Sequence, residues 1–188
     1  MIELLISCAV MMIFMSLVYQ MFVAAKRYQE NCQAKMELQE NVLKSLGRMG
    51  QELVESDRYG VQVDATNNTF CFATPRGLDG IVGFDSLGRM QWRKLVCYYV
   101  AQSPAGVYTL YRKVRVINPY VTDVPAPPAP TTIRDDATLN ERQVAPNIRK
   151  LNPISNPDGT YEIIITGELK IYSRTYGVEV NGKIFPNN

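Results

Sequence analysis

Two hydrophobic periods divide the chain. From Leu4 to Ala25 it runs for 22 residues without a charge, enough for a helix to cross the roughly 30 Å hydrocarbon core of a bilayer. No proline occurs before Pro75, so nothing breaks that helix early. Residues 26–57 hold many strong helix formers. Within them Cys32, Met36, Leu43, Leu46, Met49 and Leu53 recur at intervals of mostly three or four residues. The spacing predicts one helix of roughly 55 residues, on the order of 80 Å long. Its first half is apolar all round, and its C-terminal half lays one face on its own domain. Gly47 and Gly50 are expected where strands press close, and Arg58-Tyr59-Gly60 is the expected end, with Gly60 as the stop.

From Val61 the period changes to two, and short β-type runs alternate with turn signals. Val61–Val63 is a weak strand and Thr69–Thr74 a stronger one that stops at Pro75. Ile81–Asp85, Met90–Ala101 and Gly106–Ile117 predict a three-stranded antiparallel meander, linked by Asp85-Ser86-Leu87-Gly88 and Gln102-Ser103-Pro104-Ala105. Residues 118–157 carry eight prolines, with Val124–Pro130 (VPAPPAP) polyproline-like, and predict a long surface excursion. A short strand or turn near Thr131–Arg134 and another at Asn147–Leu151 fit within it. Sheet returns afterwards, with Tyr161, Ile163, Ile165, Leu169 and Ile171 on one face of a strand. Asn181-Gly182, between alternating residues, predicts a two-residue hairpin turn and a last strand at a sheet edge.

The fold class expected is therefore α+β: a long N-terminal helix packed on an antiparallel β-sheet domain. Its parts are a transmembrane segment at 1–25, an amphipathic continuation at 26–58, and a β domain at 59–188 with the proline-rich excursion at 118–157. The sequence has 188 residues and a net charge of +2, the size of one domain with an anchor. Past Arg58 the balance is only 14 basic against 11 acidic residues, no footprint for nucleic acid. Histidine is absent, which removes His-based triads, His metal sites and His general bases. No CxxC pair joins Cys8, Cys32, Cys71 and Cys97, so a zinc site is not expected. No cofactor is expected either. Residues 1–25 lack the basic start of a secretory signal and run straight into the next helix. Lys26 and Arg27 follow the span and by themselves favour a cytoplasmic C-terminus.

One acid, Glu3, stands at the edge of the apolar run. It sits either in the headgroups at the first turn, where the helix dipole favours negative charge, or against a partner such as the α-amino group of a neighbouring chain. Ile2-Glu3-Leu4-Leu5-Ile6, followed by an uncharged helix and then an amphipathic one, resembles the start of type IV pilins and type II secretion pseudopilins. Members of that family carry a short basic leader ending in Gly, then Phe, Thr, Leu, an aliphatic residue, Glu and two more aliphatics. Met1 stands where the Leu before Ile-Glu would be. Either a longer chain begins upstream, or leader cleavage and N-methylation do not apply. Gly83–Val114 (GFDSLGRMQWRKLVCYYVA…GVYTLYRKV) is similar to minor subunits of the J or PilW-like kind, with a Trp, Tyr-rich strand residues and a Leu-Tyr-Arg strand.

The resemblance implies a minor pilin or pseudopilin placed in, and at the tip of, a type IV pilus or type II secretion pseudopilus. Its home would be the bacterial inner membrane, crossed once, with the C-terminal domain in the periplasm or on a surface filament. Other pilins or pseudopilins would meet its N-terminal helix, with Glu3 matching an adjacent subunit's N-terminus. The prepilin peptidase, the assembly ATPase and the inner-membrane assembly platform are the implied partners. The alternative is a single-span anchored binding module that uses its β domain and proline-rich loop. No catalytic constellation is visible, and an enzyme is not expected.

Cys71 and Cys97 lie in predicted strands outside the membrane. They form a disulfide if the compartment is oxidising, or stay as two buried thiols. Asn156-Pro157-Asp158-Gly159-Thr160 has too few acids for a calcium loop and predicts a turn, as does the Asn67-Asn68-Thr69 sequon. Asp135, Asp136 and Glu141 form no paired-carboxylate site without a cleft. Arg112, Lys113 and Arg115 alternate along a strand, which splits their charges between faces. Trp92, Tyr98, Tyr99, Tyr108 and Tyr111 are expected as cross-strand core and rim.

Overall fold

The computed structural model describes residues 1–104, 106–171 and 174–186. Helix α1 runs Ile2–Val54 without a break. It ends short of Gly60 because Asp57 starts a separate 3-10 turn at Arg58–Gly60, its carboxylate accepting from Tyr59 N at 2.8 Å. Among the described residues nine strands and a second helix follow: β1 Val61–Asp64, β2 Thr69–Thr74, β3 Gly83–Phe84, β4 Met90–Gln102, β5 Tyr108–Val121, α2 Pro130–Arg134, β6 Glu141–Pro146, β7 Ile148–Ser155, β8 Tyr161–Ile171 and β9 Arg174–Ile184. The chain divides into two compact units, Met1–Glu37 and Leu38–Asn188, with the boundary inside α1.

In the second unit one antiparallel sheet has the order β1-β2-β4-β5-β6, with β3 paired to β4, and another has the order β7-β8-β9. The meander of β3, β4 and β5 is present as expected. Of its second turn, Ala105 lies outside the described residues.

Sheet alternation explains the burial. Phe70 and Phe72 of β2, with Val96 and Tyr98 of β4, join Val42, Met49 and Leu53 of α1 in one core that also holds Ile148, Leu151, Ile163 and Ile165 of the second sheet. Cys71, Ala73, Leu95, Cys97 and Tyr99 point the other way, onto Ile133 of α2. Both faces of β2 and the middle of β4 are therefore covered. A register shift between Trp92 and Lys94 reverses the parity. Trp92 thus joins the α2 side, and Lys94 faces the α1 side with Val96.

The buried face of α1 is Leu38, Val42, Ser45, Met49 and Leu53, whereas Met36 and Leu43 of the expected stripe are exposed. The glycine expectation is also corrected. A Cβ at Gly47 would meet nothing within 4 Å and one at Gly50 only ordinary contact with Ile184. The close approaches are on the strands: a Cβ at Gly167 would lie 2.8 Å from Val42 Cγ2, and one at Gly182 2.9 Å from Leu46 Cδ2. Gly182 is consequently inside β9, and the expected hairpin at Asn181-Gly182 does not form. Pairing runs through it, Asn181 opposite Ile164 and Gly182 opposite Ile163.

The proline-rich excursion is also largely ordered. Its prolines sit where a missing N–H is tolerated. Pro146 ends β6 and Pro153 lies in β7, and both are edge strands. Between them Asn147, at φ 62°, takes the left-handed conformation that Asn tolerates and passes the chain from one sheet to the other. Pro127 and Pro128 stand against β1, where the Gln62 amide, turned to face them, donates to Pro127 O at 2.9 Å and Pro128 O at 2.7 Å.

Candidate functional site

In the first unit every large apolar side chain from Ile2 to Phe22 is at least 44% exposed. A helix apolar on all sides has no face for water. At 1.5 Å per residue, Leu4–Ala25 measures about 33 Å, so α1 is long and apolar enough to span a membrane. Glu3 sits in its first turn. No ion pair to Glu3 occurs among the described residues, and the helix N-terminus favours a negative charge there. Cys8 is an exposed thiol and Cys32 a half-exposed one, outside any core.

In the second unit Cys71 and Cys97 stand directly opposite on β2 and β4, with Cα atoms 4.1 Å apart, joined as a disulfide. Pro130 O, at the start of α2, faces both sulfurs at 3.9 and 3.7 Å. The residues that close over the bridge belong to the expected excursion. That segment is a cover for the sheet at Pro130, whose carbonyl faces the bridge.

Arg112, Lys113 and Arg115 are separated by the strand's alternation. Lys113 Nζ crosses to the α2 side, where it donates to Arg134 and Asp136 carbonyls, and Arg115 pairs with Asp136 at 2.7 Å. Arg112 turns to α1. Asp135 is engaged by Arg134 and Glu141 by Lys113. The Asn156–Thr160 segment is a turn, its Asp158 carboxylate accepting from Thr160 N and Oγ1. Among the described residues no group of three potential metal ligands gathers. Tyr99 stacks on Tyr111 with ring centroids 5.7 Å apart, as a cross-strand pair.

The sequence reading missed a charged cluster beside α1. Glu52 accepts from Arg112 Nε at 3.1 Å and Nη2 at 2.9 Å, and from the buried Tyr98 hydroxyl at 2.9 Å. Arg48 approaches it at 3.9 Å. One turn on, Glu55 is held by Arg76 through Nε at 2.9 and 2.8 Å. Burial pushes the Tyr98 hydroxyl well above its usual pKa, and the Glu52 charge adds to it. An open cleft of about 610 Å³ lies beside these groups, lined among others by Gln51, Glu55, Thr74, Arg76 and Lys94. The turn between β4 and β5 fixes Tyr98 opposite Arg112, so that pair was within reach of the sequence. Nothing local signals that Glu52, 60 residues from Arg112, completes it.

Comparison with protein families, with curated proteins and with solved structures gives no match to this chain.

Proposed function

We propose that this protein is a structural assembly subunit, a minor pilin or pseudopilin that enters a type IV pilus or type II secretion pseudopilus through α1. The observation that carries this is the first part of α1, up to Ala25, apolar on every side with a single acid, Glu3, in its first turn. In lipid or in a dry helical bundle an unpaired carboxylate is strongly disfavoured. A neighbouring subunit's α-amino group would satisfy it, and the pair would select axial register. The Cys71–Cys97 disulfide favours an oxidising compartment for the β domain. That fits a subunit held in the bacterial inner membrane with its domain in the periplasm. The proposed neighbours are other pilins or pseudopilins, with the prepilin peptidase and the inner-membrane platform acting on the N-terminal segment.

The test is incorporation. Glu3→Ala should abolish recovery of the protein in the sheared-filament fraction while the denaturation of its β domain is unchanged. Native protein from that fraction should show by mass and N-terminal sequencing a methylated Phe two residues before Met1. Normal incorporation of Glu3→Ala, with Met1 intact and unmodified, would sink the proposal in favour of an anchored binding module.

A further inference from the structure

We propose that the cleft beside α1 is an anion site in which the Lys94 ammonium takes a carboxylate. Lys94 is 7% exposed, lines the cleft, and has one hydrogen bond, to Gly77 O at 3.1 Å. An ammonium carries three donors, and no ion pair joins Lys94 to a described carboxylate. The surrounding charges do not balance it. The cations are Arg48, Arg76, Lys94 and Arg112, and the carboxylates are Glu52 and Glu55, both already gripped by arginines. The group is thus a nearly buried cation with donors to spare, in a cluster with more positive than negative charge. Burial holds the Lys94 pKa below its usual value, and the Arg112 charge adds to that, against the opposing pull of Glu52 and Glu55.

A buried, uncompensated charge is stabilised most by an opposite charge with hydrogen-bond acceptors, and a carboxylate supplies both. Thr74, also on the wall, uses its oxygen to accept from Arg76 N at 3.3 Å, which leaves its O–H to donate beside Lys94. The volume of about 610 Å³ admits a small free acid or the end of an acidic side chain from a neighbouring protein chain. The site stands whether or not the protein enters a filament.

The full-length chain in detergent micelles, labelled at lysine Cε, would be titrated at neutral pH and the Lys94 resonance followed by NMR. Lys94→Met identifies that resonance by its loss. Sodium acetate is compared with sodium chloride at equal ionic strength, and the peptide Ac-Ala-Glu-Ala-NH2 with Ac-Ala-Gln-Ala-NH2. A saturable shift with acetate alone supports the site and assigns it to a free small acid. A shift with the glutamate peptide at lower concentration than acetate supports it and assigns a side chain. Gln51→Glu, at an exposed position on the cleft wall, should weaken either probe by about threefold or more, because it adds a like charge to the same wall. This second variant tests the site even if Lys94→Met fails to fold. Neither carboxylate moving Lys94 beyond its matched control, or full affinity in Gln51→Glu, overturns the proposal.

Discussion

Glu52→Ala should be among the most destabilising single changes in the β domain. The carboxylate receives three hydrogen bonds, two from Arg112 and one from Tyr98. Its side chain is 22% exposed and that of Arg112 12%, so water screens the pair only in part. Breaking a fully buried pair costs about 3–5 kcal/mol, because the surviving charge is left uncompensated. Discounted for exposure, and with the Tyr98 hydroxyl also orphaned, the loss should be about 2–4 kcal/mol. Arg48 at 3.9 Å offers Arg112 no substitute, since it is a cation too. Glu52→Gln keeps the shape and an acceptor oxygen and should lose about half as much. Urea unfolding of the full chain in detergent reads this through Trp92, the single tryptophan, buried on the α2 side of the sheet. Glu40→Ala is the control, since its pair with Lys44 is 61% and 71% exposed and water screens it almost fully. In a cycle with Arg112→Met the double variant should lose less than the sum by about 1–2 kcal/mol. A Glu52→Ala loss no larger than the control's, or strict additivity in the cycle, would refute the account.

Removing the disulfide by Cys71→Ala with Cys97→Ala should cost about 3–4 kcal/mol by loop-closure entropy, for a sequence separation of 26. The denaturation midpoint measures it, and the bridge, buried under Pro130, should resist reductant until the domain unfolds. Gly47→Ala should stabilise α1 by about 0.5–1 kcal/mol, because an added methyl meets nothing. Gly167→Ala should destabilise by about 1–2 kcal/mol, because Val42 Cγ2 stands 2.8 Å from the new carbon; equal thermal midpoints for these two variants would contradict the packing described. Asp136 and Asp158 are held down to about 2, in each case first by the hydroxyl of a threonine two residues on. A carboxyl whose folded pKa is depressed contributes stability above its unfolded value, near 4, and loses it as pH falls through the folded value. Stability should therefore drop between about pH 4 and pH 2. Asp136→Asn with Asp158→Asn should flatten that limb of a pH series of denaturation midpoints.

The elements that carry a long uninterrupted period were legible in the sequence: α1, and the strands β2, β4, β5 and β8. Their signal is local, set by apolar spacing alone. The stripe on α1 was misplaced because Met36 and Leu43 keep a helical interval yet point outward, while the small polar Ser45 is buried. The end of α1 was missed because Asp57 begins a separate capped turn before Gly60 is reached. Of the charged cluster, Tyr98 and Arg112 follow from strand register, but Glu52 and Lys94 are joined to it only by how α1 lies on the sheet. Lys94 was hidden further by the register shift after Trp92, which moves it onto the α1 side.

Asn181-Gly182 and the prolines show the same conflict resolved by tertiary contact. A type I′ turn needs positive φ at both central residues, yet Gly182 has no such φ and lies within 2.9 Å of Leu46 once a Cβ is placed on it. Glycine is used there for its missing side chain, so that β9 can run beneath α1, and Gly167 on β8 does the same beneath Leu38 and Val42. The two glycines let the helix sit close to the second sheet, and neither Gly47 nor Gly50 is needed for it. Pro146 and Pro153 occupy edge strands, where a lost N–H leaves the ladder to the inner neighbour intact. These prolines therefore limit where β6 and β7 can sit, and do not forbid them. A glycine or proline in this chain acquires its meaning from the element packed across from it. Gly167→Ala tests this, because only a close-packed α1 makes one methyl group costly there.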